Sequence, residues 1–273
     1  MTHQIGLAAL TVLELTPPDM VSCAAAAGFD CIGLRLIPAT VEEMQHAMVG
    51  DTPLVRETER RLKDTGVQCL DIEIFRLKPD TSVADYEAAL ETGARFGARE
   101  ALIAGNDPDE MRLTENFAAF CDLARPYGIG INLEPMPWTD CKNFAQGLRV
   151  VTAAARNNGG VLIDPIHFDR GGSHADEILE TPSALLRYMQ LCDAPAQRPF
   201  DVKTLVHQAR AERLMPGDGG LDLNAILRGV PDGIPISLEI PMETLAKTVS
   251  AVKRTKQMLG KTRRLLEGLQ GRR

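Results

Sequence analysis

Three carboxylates hold equivalent places in three separate apolar runs: Ile131-Asn132-Leu133-Glu134-Pro135, Val161-Leu162-Ile163-Asp164-Pro165 and Ser237-Leu238-Glu239-Ile240-Pro241. Each run reads as a buried strand, and because proline has no N–H to give to a strand ladder, the prolines mark where pairing stops. Glu134, Asp164 and Glu239 are therefore expected at the C-terminal lips of their strands. An acid in that position is costly unless it is paired or bound to a cation, and three converging acids repel one another. A divalent cation removes the repulsion, and oxygen-rich ligation suits Mg²⁺ or Mn²⁺, with Co²⁺ also allowed, better than a structural zinc site. Between the second and third runs lies Tyr188-Met189-Gln190-Leu191-Cys192-Asp193, where Gln190 offers a neutral amide oxygen as fourth ligand. His167, three residues past Asp164, falls near the same point. One strand-end acid is ordinarily a helix cap or an ion-pair partner, but four polar residues at successive strand ends are a pattern that incidental surface acids do not make.

The elements expected to carry these residues alternate between short apolar strands and longer helical stretches, which distinguishes βα units from a sandwich or a bundle. The strands are read as Ile5 to Leu13, Cys31 to Leu36, Cys69 to Phe75, Ala101 to Ala104, Gly130 to Glu134, Gly160 to Asp164, Tyr188 to Cys192 and Pro235 to Ile240. Helices are read at Pro18 to Ala27, Glu57 to Thr65, Ser82 to Phe96, Arg112 to Tyr127, Asn143 to Asn157, Pro182 to Arg187, Leu223 to Arg228 and Thr244 to Leu259. Gly28, Gly66, Gly97, Gly128 and Gly159 follow helices and fit left-handed C-caps. Eight units make an α/β fold of the (β/α)₈ TIM barrel class. The 273 residues match the roughly 250 such a barrel needs, so residues 1–273 are read as a single domain. The long stretch from Asp193 to Leu221, after strand seven, is a candidate lid or substrate clamp on the catalytic face.

Composition narrows the function. Hydrophobic residues at 44% and charged residues at 25% describe a chain that can bury a core. A net charge of −7 argues against nucleic acid as a partner, because phosphate-backbone binding needs clustered Lys and Arg. The basic residues Lys261, Arg263, Arg264, Arg272 and Arg273 read as a solvated helix end. The first fifteen residues have no basic n-region, and Glu14 interrupts their apolar run, so neither export nor membrane insertion is expected. The six cysteines show no metal-ligand spacing and are expected to be reduced, mostly buried, cytoplasmic thiols.

The ordered segments Leu133-Glu134-Pro135-Met136-Pro137-Trp138, Leu162-Ile163-Asp164-Pro165-Ile166-His167, Met189-Gln190-Leu191-Cys192-Asp193-Ala194, Pro216-Gly217-Asp218-Gly219 and Ser237-Leu238-Glu239 resemble the xylose isomerase-like barrel superfamily. Ala26, Gly28, Phe29 and Asp30 agree more weakly. The group includes sugar isomerases and epimerases, hydroxypyruvate isomerases, inosose dehydratases and 3-dehydroshikimate dehydratases. The resemblance implies metal binding by Glu134, Asp164, Gln190 and Glu239, substrate contact or proton transfer by His167, and substrate binding by Arg213. Many members have His where Gln190 stands; Gln is similar to the hydroxypyruvate isomerase and dehydroshikimate dehydratase branches. Gly33 departs from the Glu that many relatives carry on strand two, while Arg35 and Arg76 point toward an anionic substrate.

The expected function is a divalent-metal-dependent isomerase or epimerase acting on a keto-sugar, polyol ketone or hydroxy-keto acid through a metal-stabilised enediolate. Glu134 and Glu239 are the candidate base and acid, with His167 as the alternative proton carrier. A dehydratase, a carbon–oxygen lyase of the 3-dehydroshikimate or inosose type, would share the first step. An apurinic-site endonuclease would need a three-zinc site, and the chain has only five histidines, His3 and His46 lying away from the strand ends. A barrel that binds sugar without chemistry is the remaining alternative. Trp138 is read as a pocket wall or a rim-packing residue, Glu73 as an ion-pair partner of Arg35 or Arg76, Asp193 as an orienter of Gln190 or His167 or as a loop cap, and Lys203 and His207 as a solvated helix face. A homo-oligomer is compatible with the sequence.

Overall fold

The structure, a computed structural model, describes residues 3–270. Eight parallel strands form one sheet: β1 (Ile5–Leu7), β2 (Cys31–Arg35), β3 (Gln68–Leu77), β4 (Glu100–Gly105), β5 (Gly130–Glu134), β6 (Gly159–Val161), β7 (Met189–Leu191) and β8 (Ile236–Leu238). Pairing runs from β6 back through β1 and on to β8 and β7. The seam between β6 and β7 closes through the parallel bridge Ile163–Met189 and the bond from the Gln190 amide to the Ile163 carbonyl at 2.9 Å. All strands are covered by helices outside and filled inside, which is why they read as continuous apolar runs.

The helices are α1 (Pro17–Ala27), α2 (Pro53–Thr65), α3 (Glu87–Arg95), α4 (Glu110–Ala124), α5 (Phe144–Ala154), α6 (Pro165–Arg170), α7 (Ala175–Leu179), α8 (Val202–Ala211), α9 (Leu223–Gly229), α10 (Glu243–Ala246) and α11 (Ala251–Gln270). Several start on side chains that accept orphan backbone N–H groups: Thr52 from Val55, Asp109 from Met111 and Arg112, Asn143 from Gln146, Asp201 from Thr204 and Asp222 from Ala225. Between helices and sheet lies the main core, with Phe75, Phe117, Phe120 and Phe144 among its fully buried members. A smaller apolar cluster of Cys31, Leu70, Ile74, Leu102, Ala104, Met136, Leu162 and Tyr188 is separate from it.

Some expected boundaries move. The first strand ends at Leu7, and Ala9–Val12 turns into a 3-10 helix. The helix expected from Pro182 to Arg187 is only the 3-10 turn Ser183–Leu185; the sixth unit is built from α6 and α7, which lie between β6 and that turn. The last expected helix divides into α10 and α11, and α11 continues to Gln270 with Lys261, Arg263 and Arg264 on it; Arg272 and Arg273 lie outside the described residues. Gly28, Gly66, Gly97 and Gly128 take positive φ as C-caps require, but Gly159 lies in β6, and Ala155 makes the left-handed turn at φ 50° instead. All six cysteines are buried and free. No described helix is long and apolar enough to cross a membrane.

Strand β3 departs from a simple period of two. Against β2 its register shifts so that Ile32 pairs with Cys69 but Gly33 with Asp71, and against β4 three steps from Ile72 to Phe75 match two from Ala101 to Ile103. Each shift gives β3 one extra residue, the signature of a bulge, and re-aims the side chains that follow.

Candidate active site and metal centre

Glu134 ends β5, Asp164 caps α6, Gln190 lies in β7 and Glu239 directly follows β8, so the four residues expected as ligands come from four adjacent units at one end of the barrel. Asp164 is a helix cap as well as a strand-end acid: its Oδ1 accepts from the Ile166 amide at 3.0 Å. That cap starts α6, and α6 carries His167 back over the strand ends. Ligand atoms of Glu134, Asp164, His167 and Glu239 all lie within 4.8 Å of one another, an arrangement that could hold a metal ion. Gln190 adjoins them, donating Nε2 to Glu239 Oε1 at 2.9 Å. These five residues are at most 4% exposed.

Arg213, expected to contact substrate, also stands among the acids. Its Nη1 is 2.5 Å from Asp164 Oδ2 and its Nη2 2.7 Å from Glu239 Oε2. The antiparallel bridges Asp193–Leu214 and Glu212–Met242 flank the residue, and its Nε donates to the Ala209 carbonyl at 2.6 Å, so the chain on both sides fixes where the guanidinium points. Asp193 does not orient Gln190 or His167 directly. Its carboxylate accepts from the amides of Ala194, Gly217, Gly219 and Leu221, folding the Pro-Gly-Asp-Gly segment back beside β7 and thereby holding the strand of chain that carries Arg213.

The cluster's electrostatics are uneven. Burial, then Glu239 and Asp164, push the Glu134 carboxyl well above the ordinary carboxylate range. Burial raises Glu239 to about 8 despite Arg213. Asp164 is also buried, but Arg213 and His167 overcome that penalty and hold it below its usual value. Burial brings His167 down to about 4, a neutral imidazole near neutral pH. One arginine therefore offsets part of the acidic charge, and polar atoms around it are unmatched: Glu134 Oε1, Gln190 Oε1 and His167 Nδ1 are buried without a hydrogen-bond partner. Glu134 Oε1 faces His167 Nε2 at 3.7 Å, beyond hydrogen-bonding range. Orphaned oxygens on convergent acids are the donor set a hard divalent cation takes, so the residues fit such an ion.

Above them opens a cleft. Arg35, Arg76, Trp138 and Arg213, the residues expected to bind substrate, all line it. Trp138 meets the His167 ring edge-on at a centroid separation of 4.9 Å, so it is both cleft wall and packing partner. Glu73 pairs with Arg35, not Arg76, at 2.8 Å. Lys203 and His207 lie exposed on α8.

Three residues, Arg210 in the cleft lining and Glu43 and Asp71 outside it, carry no sequence signal strong enough to single them out. Arg210 on α8 lines the cleft and pairs with Glu43 at 2.6 Å, while Glu43 also reaches Arg35 at 3.0 Å, tying the loop after β2 to the loop after β7. No motif announces a contact between positions so far apart in the chain. Asp71 is the third. A Cβ on Gly33 would stand 2.8 Å from its Oδ1, so the acid absent from β2 is replaced in space by one from β3. The one hint in the sequence is the spacing of Asp71 and Glu73, two positions apart in an apolar strand.

Residues 21–265 match the family described as xylose isomerase-like TIM barrel. An inosose isomerase of Bacillus velezensis is 27% identical over 191 residues, covering 63% of this chain and 66% of the relative. The chain thus aligns with less than two thirds of that protein's length, and with 38% of an inosose isomerase of Bacillus subtilis that is also 27% identical. Among solved structures, the IOLI protein with a binding zinc atom superposes with a TM-score of 0.73 at 17% identity, covering 95% of this chain and 96% of that one. A D-allulose 3-epimerase from Methylomonas sp. superposes with a TM-score of 0.69 at 17% identity, each chain covered to 98%.

Proposed function

The chain belongs to the xylose isomerase-like TIM barrel family, and on that premise we propose that it is a divalent-metal-dependent isomerase or epimerase of a small hydroxy-ketone, working through an enediolate. The observation that carries the reading is the buried, unpartnered Glu134 Oε1 within 4.8 Å of ligand atoms of Asp164, His167 and Glu239, at the floor of an open cleft. The inosose isomerases among its relatives and the epimerase and zinc-binding structures that share its fold support the same reading.

Glu134, Asp164, Gln190 and Glu239 would hold the ion, Gln190 through the Oε1 that now lacks a partner, with His167 beside them as a further donor. When bound, Mn²⁺, Mg²⁺ or a similar cation supplies Lewis-acid stabilisation of negative charge developing on two neighbouring oxygens as an α-proton leaves. Glu134 and Glu239 flank that position, and a carboxylate whose proton affinity is raised by burial is a better base than one in water. One takes the proton from carbon, and the other, or the same one, returns it to the neighbouring carbon or to the opposite face. His167, neutral near pH 7, is the alternative carrier. Arg213 fixes the orientation of Asp164 and Glu239. Trp138 walls the cleft and packs edge-on against His167.

Incubation in D₂O with keto-sugars, polyol ketones and hydroxy-keto acids, with Mn²⁺ or Mg²⁺ added, tests this by NMR. Deuterium at the α-carbon of an isomerised or epimerised product is expected. An unsaturated product would replace the reading with dehydration, and absence of both exchange and product across the panel would end it.

A further inference from the structure

The cleft is lined by four arginines, and their partners differ. Arg35 is held by Glu43 at 3.0 Å and Glu73 at 2.8 Å, Arg210 by Glu43 at 2.6 Å, and Arg213 by Asp164 at 2.5 Å and Glu239 at 2.7 Å. Arg76 has no carboxylate within ion-pairing distance among the described residues. Its guanidinium donates from Nη1 to a neutral acceptor, Asn106 Oδ1, at 2.9 Å. A half-buried guanidinium left without a counter-charge is unfavourable, and burial followed by the neighbouring Arg210 weakens its hold on its proton.

We propose that Arg76 is the subsite for a carboxylate carried by the substrate, which makes the substrate a hydroxy-keto acid rather than a neutral sugar. The inference rests on reading the cleft as the active site of an isomerase or epimerase. The position of Arg76 suits this role, because the residue lines the catalytic cleft together with Glu134 and His167 and also lines the shallow groove that continues outward past Lys78 and Asn106. A ligand whose oxygens reach the acid cluster would thus extend its charged end toward the mouth. The planar fork of an arginine matches a carboxylate with two parallel hydrogen bonds. Asp80 and Asp140 balance Arg76 and Lys78 in the same groove, which therefore has no excess positive charge for a dianion such as a phosphate monoester. The three paired arginines are occupied in holding protein acids, so the discriminating contact falls to Arg76.

Calorimetric titration of the Mn²⁺-supplemented protein with two probes tests the subsite: shikimate, a ring polyol with a carboxylate, and myo-inositol, a ring polyol without one. Shikimate is expected to bind at least about 10-fold tighter. Arg76→Gln should weaken shikimate by roughly 10- to 100-fold and leave myo-inositol unchanged, with Arg76→Lys recovering part of the loss. Equal binding of the two probes by the wild-type protein, a result that needs no variant, overturns the proposal; so does an equal loss for both in Arg76→Gln. The D₂O exchange assay separates this from the isomerase reading. Carboxylate-selective binding lost in Arg76→Gln, with no exchange on any ketone, keeps the subsite and removes the isomerase. Exchange on neutral ketoses that is indifferent to Arg76→Gln keeps the isomerase and removes the subsite.

Discussion

The two ends of the barrel each bury acid, and they treat it differently. At the N-terminal end, Glu100 opens β4 with both oxygens engaged: Arg187 donates Nε to Oε2 at 2.8 Å and Nη2 to Oε1 at 3.1 Å, and Asn132 donates Nδ2 to Oε2 at 2.9 Å. At the C-terminal end Arg213 pairs with Asp164 and Glu239, while Glu134 Oε1 and Gln190 Oε1 are left without partners. The difference is not one of burial, since both sets are nearly inaccessible. It lies in the completeness of pairing at Glu100 against Glu134, for Asp71 Oδ1, in register with Glu100, is also buried without a partner. A finished ion pair has nothing left to offer a ligand, whereas unmatched oxygens at the mouth are what a cation and a substrate would use, which accords with catalytic residues collecting at that face of such barrels.

Substitutions at the two ends should separate chemistry from stability. Glu134→Gln is expected to lower kcat on the responsive substrate by roughly 10²- to 10⁴-fold while the melting temperature changes little, because a neutral amide relieves repulsion but carries neither charge nor base. A steady-state assay beside a thermal melt checks both halves, and a variant that keeps wild-type kcat would erase the proposed contrast. Arg187→Gln should do the reverse, destabilising by on the order of 3 kcal/mol in denaturant unfolding because Glu100 loses its counter-charge, with kcat of the folded fraction unchanged. A benign Arg187→Gln would mean that Glu100 is not held as the geometry implies.

Metal should act on the mouth alone. Mn²⁺ at about 100 times its dissociation constant is expected to stabilise the wild-type protein by about 2.7 kcal/mol relative to EDTA, and the gain should shrink sharply in Glu134→Gln and persist in Arg187→Gln. An equal gain in all three proteins would locate the ion elsewhere. The smallest effect concerns pH. Because burial raises Glu239 to about 8, the folded metal-free protein keeps a proton there that the unfolded chain has released above 4.5. The folded state binds more protons across that window, so stability should fall as pH rises from about 4.5 to 8. Thermal melts in EDTA should show a drop of a few degrees over this range, reduced in Glu239→Gln and countered by Mn²⁺; a wild-type profile that rises instead would contradict the raised proton affinity.

The sequence determined the (β/α)₈ alternation and the lips of strands five to eight, because buried parallel strands leave continuous apolar runs and proline stops a ladder wherever the chain folds. Glu134, Asp164, Gln190 and Glu239 were legible on those grounds, and His167 by its distance of three residues from Asp164. Tertiary structure decided the rest. That Arg213 pairs with Asp164 and Glu239, that Glu43 joins Arg35 to Arg210, and that Arg76, among the described residues, has no acid within ion-pairing distance are outcomes of which loops meet above the barrel, and pairing between distant segments leaves no periodic trace. The bulges of β3 hid Asp71 for a related reason: unbroken alternation would set Asp71, Glu73 and Phe75 on one face, yet Phe75 packs edge-on to Tyr86 and Phe120 in the outer core while Asp71 lies against Gly33. Register shifts are settled by neighbouring strands, so the strand's own residues do not encode them.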